Sequence, residues 1–254
     1  MIPLTDDLPT LRVPVMTWLL LGAMFAAWVL VQGGGFNDVE LVASICNLGM
    51  VPGAFTHSVP LGYMLPIAPG LACQIDNSRV NLLTPLFSMF LHGGWMHLLG
   101  NALFLWVFGP AIEDSMGPGR FLAFYLACGL VAAGVHVAAD RYSTVPVVGA
   151  SGAISGVMGA YLVLYPRVRI RMLFIFIIFF QVLRVPAWAV LLWWFALQVL
   201  TALPSLSSGQ PDLSGGVAVW AHLGGFGAGM MLVRRFVNRQ FLDQRSRVFL
   251  AHGV

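Results

Sequence analysis

Lysine is absent from this 254-residue chain, and its basic charge is carried by 13 arginines. Charge of either sign is scarce, with Asp, Glu, Lys and Arg together forming 9% of the residues, against about 25% in an ordinary soluble domain. That deficit excludes a normal water-exposed surface. Cysteine is rare too: Cys46, Cys73 and Cys128 are odd in number and spread over three segments, which excludes a disulfide scaffold and reads as small apolar or loop residues. A cleaved leader is not expected, because Asp6 and Asp7 stand beside a single Arg12 and no small-x-small site follows Val31 before the Gly33–Gly35 run. The first apolar run should therefore remain as a helix. A net charge of +3 without a basic stripe gives no reason to expect a nucleic-acid partner.

What is present is apolar: 59% of the residues are hydrophobic. Charge-free stretches cover residues 13–37, 41–75, 80–112, 121–139, 142–166, 185–211 and 213–233, each long enough for the roughly 18 residues that a membrane-crossing helix needs. The stretch 41–75 is discounted, because Pro52, Pro60, Pro66 and Pro69 interrupt it and unpaired backbone cannot face lipid. Six spans remain, near 15–32, 93–111, 120–139, 148–166, 186–203 and 216–236. The fold class expected is all-α, a polytopic membrane protein of six transmembrane helices.

An even number of spans puts both termini on one side. That side receives Arg12, Arg120, Arg167, Arg169, Arg171, Arg184, Arg234, Arg235, Arg239, Arg245 and Arg247, and only Arg79 and Arg141 lie opposite. An excess of this size places both termini in the cytoplasm by the positive-inside rule. The expected organisation is a short cytoplasmic N-terminus (1–14), a six-helix membrane domain (15–236) and a basic cytoplasmic tail (237–254). Within it, the long outer loop 33–92 should fold back onto the membrane surface. The apolar segment Met172–Leu183, too short to span and flanked by Arg171 and Arg184, should be interfacial or re-entrant. The outer segment 204–216 (PSLSSGQPDLSGG) has a mobile-loop composition.

Polar side chains inside spans are costly and usually face the bundle interior, which makes each a candidate for function. His97 and Asn101, four apart, share one face near the outer end of the second helix. Ser151, in GASGAISG, and His222, in AHLGGFGAG, lie near the outer ends of the fourth and sixth. Gln198 and His136 complete the set without an evident partner. These three helices run from outside to inside, and three to six positions at 1.5 Å per residue put Ser151, His222, His97 and Asn101 at about the same depth, roughly 5–10 Å below the outer surface. An imidazole can activate a serine hydroxyl. An Asn amide, a second imidazole and helix N-terminal amides can receive a developing oxyanion. The pattern is that of an acyl-transfer site. No buried acid accompanies His222, so the site would work as a Ser/His dyad. Gly152, Gly156 and Gly159 on one helix and Gly225 and Gly229 after His222 on another have the small-residue spacing that lets helices approach closely. Ordinary glycine packing is the alternative reading of either motif taken alone.

From about residue 80 to 235 the chain resembles the rhomboid intramembrane serine proteases. Three ordered motifs carry the resemblance: His92-x4-His97-x3-Asn101 (HGGWMHLLGN), Gly149-Ala150-Ser151-Gly152, and Ala221-His222 followed by GGFGAG. Gly109-x3-Glu113-x3-Gly117 (GPAIEDSMG) adds to them. The resemblance implies Ser151 as nucleophile, His222 as general base, and His97, Asn101 and the Ser151 amide as the oxyanion site. It implies structural roles for His92 and Glu113, with Gly149, Gly152, Gly225 and Gly229 as supporting positions. It also implies no metal or organic cofactor, single-pass transmembrane proteins as substrates, the lipid bilayer as surroundings and a bacterial-type inner membrane as location. The segment 204–216 and the fifth helix, with Trp188, Trp193 and Trp194, would form the cap and gate, although these tryptophans equally suit lipid contact. Ser155 stands where some rhomboids place an aromatic ring against the histidine. His222 must then be oriented by packing, another residue or water. A rhomboid-like protein without activity that binds transmembrane segments is the alternative function. A haem or metal protein using His92, His97 and His222 leaves the serine motif and Asn101 without a role.

Overall fold

A computed structural model describes residues 2–68, 70–75, 83–176, 179–208 and 218–252. Arg79 and most of the expected mobile outer segment, residues 209–216, lie outside the described residues. The element order is β1 (Ile2–Asp6), α1 (Val15–Leu30), α2 (Asp38–Leu48), α3 (Pro52–Phe55), β2 (Met64–Ala68), β3 (Leu71–Gln74), α4 (Thr84–Phe87), α5 (Trp95–Met116), α6 (Pro118–Ala139), α7 (Ser151–Leu164), β4 (Arg169–Phe176), β5 (Phe179–Pro186), α8 (Ala187–Ser208), α9 (Val219–Phe236) and α10 (Arg239–His252). The six expected apolar segments are the helices α1, α5, α6, α7, α8 and α9. By length and composition α5 and α6 can cross a membrane, while α1, α7 and the 187–203 part of α8 are shorter apolar helices.

Local chemistry sets the helix ends. Gly117, with φ of 82°, closes α5 by donating its amide to the Glu113 carbonyl (2.7 Å), and Pro118 opens α6 immediately afterwards. Arg234 and Arg235 occupy the last turn of α9, where cations meet the negative end of the helix dipole. The second expected helix, ended by sequence near residue 111, continues to Met116 because Glu113 and Asp114 are satisfied there. The Met16 and Thr17 amides and the Thr17 hydroxyl donate to the Glu113 carboxylate at 2.8, 2.7 and 2.7 Å, so this buried acid caps the start of α1. Asp114 receives the Leu11 amide (3.0 Å), Arg12 (3.1 Å) and Arg245 (2.7 Å). Arg245, 1% exposed, carries α10 onto the end of α5, so the basic tail holds a docked helix.

At the centre of the bundle is α7, whose residues from Gly152 to Tyr161 are all buried. It packs against α9 along a glycine seam. A Cβ at Gly225 would overlap the Gly152 carbonyl, one at Gly229 the Gly156 carbonyl, and one at Gly159 the Phe226 carbonyl. Backbone meets backbone there, as small residues allow between membrane helices.

The chain is mostly helical, but the expectation of an all-α fold is corrected by two antiparallel sheets. Strands β4 and β5 form a hairpin paired from Arg169↔Pro186 to Phe176↔Phe179, and β1 adds to the outer edge of β4 with Ile2 opposite Leu173 and Asp6 opposite Ile170. The Met172–Leu183 segment is therefore a hairpin. Its first residues alternate, with Arg169 and Arg171 exposed and Ile170 and Met172 buried, which is the period of a half-buried strand. Asp7 holds the sheet's charged face by pairing with Arg171 at 3.1 Å and Arg184 at 4.0 Å.

A second correction concerns cysteine. In the region 33–92, Cys46 of α2 and Cys73 of β3 are joined in a disulfide, their Cα atoms 5.2 Å apart, and Cys128 is free and buried. The two partners are 27 residues apart. Only the packing of α2 on the β2–β3 hairpin brings them together, and spacing alone could not show it.

Candidate active site

Ser151 is the first residue of α7, so its side chain and amide stand at the positive end of the bundle's central helix. It reaches this position through Gly149, whose φ of 127° suits glycine. A Cβ on Gly149 would lie 2.7 Å from His97 Nε2 and 3.5 Å from Ser151 Oγ. Glycine thus lets the imidazole of α5 face the serine across one narrow gap. His222, buried on the first turn of α9, places Nε2 2.7 Å from Ser151 Oγ. The glycine seam sets this distance, since it fixes how closely α7 and α9 approach.

Asn101 lies one turn beyond His97 on α5 and is buried, and its Nδ2 has no hydrogen-bond partner among the described residues. His97 receives the Gly93 amide on Nδ1 at 3.3 Å, which directs Nε2 towards Gly149. His92 sits behind it, the two rings 5.2 Å apart and edge-on. The backbone of His92 is pinned by Gln32, which accepts its amide (2.9 Å) and donates to its carbonyl (2.8 Å). Among the described residues no group of three His, Cys, Asp or Glu is placed to hold a metal ion.

Ser155 follows its sequence reading and Gln198 departs from it. The Ser155 hydroxyl donates to the Ser151 carbonyl at 2.6 Å, a bond within α7. Gln198, without an evident partner by sequence, places Oε1 2.8 Å from His222 Nδ1. One turn earlier on the same α8, the Trp194 ring lies 5.8 Å from the imidazole with the planes inclined at 36°. The other two tryptophans, Trp188 and Trp193, are exposed.

The model of the Rhomboid domain matches residues 79–239, more than half of the chain. The chain belongs to the rhomboid family. This rhomboid is similar to the "Rhomboid protease GluP" of Bacillus subtilis, 47% identical over 81 residues that make up 32% of this chain and 15% of the relative. It is similar to the "Putative rhomboid protease YdcA" of the same organism, 37% identical over 116 residues, 42% of this chain and 51% of the relative. It also matches the "Presenilin-associated rhomboid-like protein, mitochondrial" of Homo sapiens, 34% identical over 102 residues, 39% of this chain and 26% of the relative. The chain thus spans about half or less of the length of each of these relatives. Rhomboid proteins are membrane proteins, and α5 and α6 of this one are apolar and long enough to cross a bilayer.

The rhomboid's least legible site residue was Gln198. A signal existed. It lies 11 residues into α8, about 16 Å along the helix. Because α8 would run from inside to outside and its expected span ends at residue 203, Gln198 lies about 8 Å below that outer end, at the level of His222. Counting depth only along helices of one direction passes over it.

Proposed function

We propose that this rhomboid is an intramembrane serine endopeptidase that cuts single-pass membrane proteins in or near their transmembrane segments with a Ser151/His222 dyad. The observation that carries the reading is the 2.7 Å hydrogen bond between Ser151 Oγ and His222 Nε2, on two helices held together by glycine. In the reaction, Ser151 Oγ attacks the scissile carbonyl while His222 Nε2 takes its proton. The tetrahedral oxyanion is received by the Ser151 amide, His97 Nε2 and the unpartnered Asn101 Nδ2. The imidazolium then returns its proton to the leaving amine, which breaks the peptide bond and leaves an ester on Ser151. A water molecule, deprotonated by His222, hydrolyses that ester and restores the serine. His92 supports His97, and Glu113 caps α1 away from the chemistry.

The reading includes a topology of six spans with both termini cytoplasmic in a bacterial-type inner membrane. Eleven of the thirteen arginines fall on the side of the termini. On the other side lies the Cys46–Cys73 disulfide, which suits an oxidising compartment. The 14-residue α7 extends only about 21 Å, short of a hydrocarbon core of about 30 Å. A helix of this length leaves room for its Ser151 end to sit below the outer surface, at the depth read from the sequence.

Purified protein should label at Ser151 with a fluorophosphonate probe and cleave a transmembrane model substrate. Ser151→Ala and His222→Ala should each lower kcat at least about 10³-fold while the fold is kept. Unchanged cleavage by either variant overturns the reading. Binding of transmembrane segments by a wild-type protein that neither labels nor cleaves indicates a non-catalytic rhomboid.

A further inference from the structure

A base that must accept a proton at Nε2 needs its other ring nitrogen protonated and its ring held in place. The two obvious means are missing. No carboxylate hydrogen-bonds to His222 among the described residues, and Ser155 is engaged with the Ser151 carbonyl. What meets Nδ1 is the Gln198 side chain, at 2.8 Å through Oε1.

We propose that Gln198 is the positioning residue of the His222 base, turning the dyad into a Ser151–His222–Gln198 relay in which a neutral amide oxygen replaces the usual acid. This rests on the reading of His222 as the base. An amide oxygen only accepts, so this contact selects the tautomer with hydrogen on Nδ1 and leaves the Nε2 lone pair towards the Ser151 hydroxyl. The reversed amide would present its NH2 to Nδ1, select the opposite tautomer and remove the base.

The placement is built into the helix pair. Trp194 and Gln198 lie at i and i+4 on α8, and His222 and Phe226 lie at i and i+4 on α9, so each pair presents one face. Trp194 flanks both the imidazole (5.8 Å) and the Phe226 ring (6.0 Å), and Phe195 packs on Phe226 at 4.9 Å. The aromatic contacts seat α8, and Gln198 then completes the bond to Nδ1. Among the described side chains of α8 most of the others are exposed, Leu192, Leu197, Leu200 and Leu203 included. The acceptor therefore belongs to a helix with a narrow attachment. A displacement of α8 from α9 would cost His222 both its orienting bond and its ring neighbour.

The test is nitrogen-15 NMR of histidine-labelled full-length protein in detergent, with His222 assigned by its loss in His222→Ala, alongside kinetics of Gln198→Leu and Gln198→Glu. Wild type should show His222 as the Nδ1–H tautomer, and Gln198→Leu should show a mixture of tautomers. Gln198→Leu should lower kcat about 10- to 100-fold with KM within about twofold, and Gln198→Glu, which keeps an acceptor, should recover most of the loss. An Nε2–H tautomer in wild type, or a folded Gln198→Leu with wild-type kcat, overturns the proposal. Should wild type fail to cleave or label, the protease reading falls by itself. The tautomer spectra still decide whether Gln198 orients His222.

Discussion

Asp6 shows how a residue in a short terminal strand can carry an electrostatic cost. Its carboxylate receives the Tyr161 hydroxyl at 2.7 Å. Burial raises its pKa above the ordinary 3.8, only partly opposed by the Tyr161 hydrogen bond, the Arg245 charge and the Leu8 amide, and reinforced by Asp7. A raised carboxyl pKa means that the folded state binds the proton more tightly than the unfolded state. The stabilisation from protonation is thus complete below about 3.8 and is lost as pH rises through the higher folded value. Asp6→Asn, which keeps an acceptor for Tyr161, should therefore raise Tm at pH 7. The gain should shrink towards pH 4, and thermal unfolding across that range checks it. Gln198 is the other instructive residue. His97, Asn101, Ser151 and His222 could be grouped from sequence because parallel helices put equal counts at equal depths. Gln198 required the same count along a helix of opposite direction.

At the scale of elements, the α7–α9 seam ties stability to the site. Gly225→Ala puts a methyl group against the Gly152 carbonyl, where backbone must move. Such overpacking costs about 1–3 kcal/mol, and the shift separates Ser151 from His222. Cleavage should fall more than tenfold while Gly227→Ala, facing open space on the same helix, stays near wild type. Activity and Tm measured together for the pair decide it. The helices were readable because lipid demands long uninterrupted apolar runs. The β4–β5 hairpin was not, because β-branched and aromatic residues such as those in LFIFIIFFQV suit a strand, an interfacial segment or a short helix. Its partner β1 lies about 170 residues earlier in the sequence.

For the molecule as a whole, the proposed topology and the disulfide stand or fall on the same membrane side. A cysteine introduced at Arg141 should react with a membrane-impermeant maleimide added outside intact cells, and one at Arg169 only after permeabilisation. Both positions are exposed, and the native Cys128 is buried. Reaction of Arg169→Cys in intact cells contradicts the orientation. Replacing Cys46 and Cys73 by Ser should cost about 2–4 kcal/mol, seen as a lower Tm without loss of the Ser151–His222 contact. The proposed sidedness rests on the arginine distribution, whereas the disulfide and the burial of Arg245 depend on contacts between distant segments that no local pattern records.

The three-stranded sheet also imposes an order in time. Strand β1 is synthesised before its partner β4, which follows about 170 residues later, Ile2 against Leu173. At about 5–20 residues per second, the edge of β1 waits on the order of 10–30 s for the strand that completes it. During that interval α1, α5, α6 and α7 are made, so β1 precedes these helices in synthesis and is paired only after them.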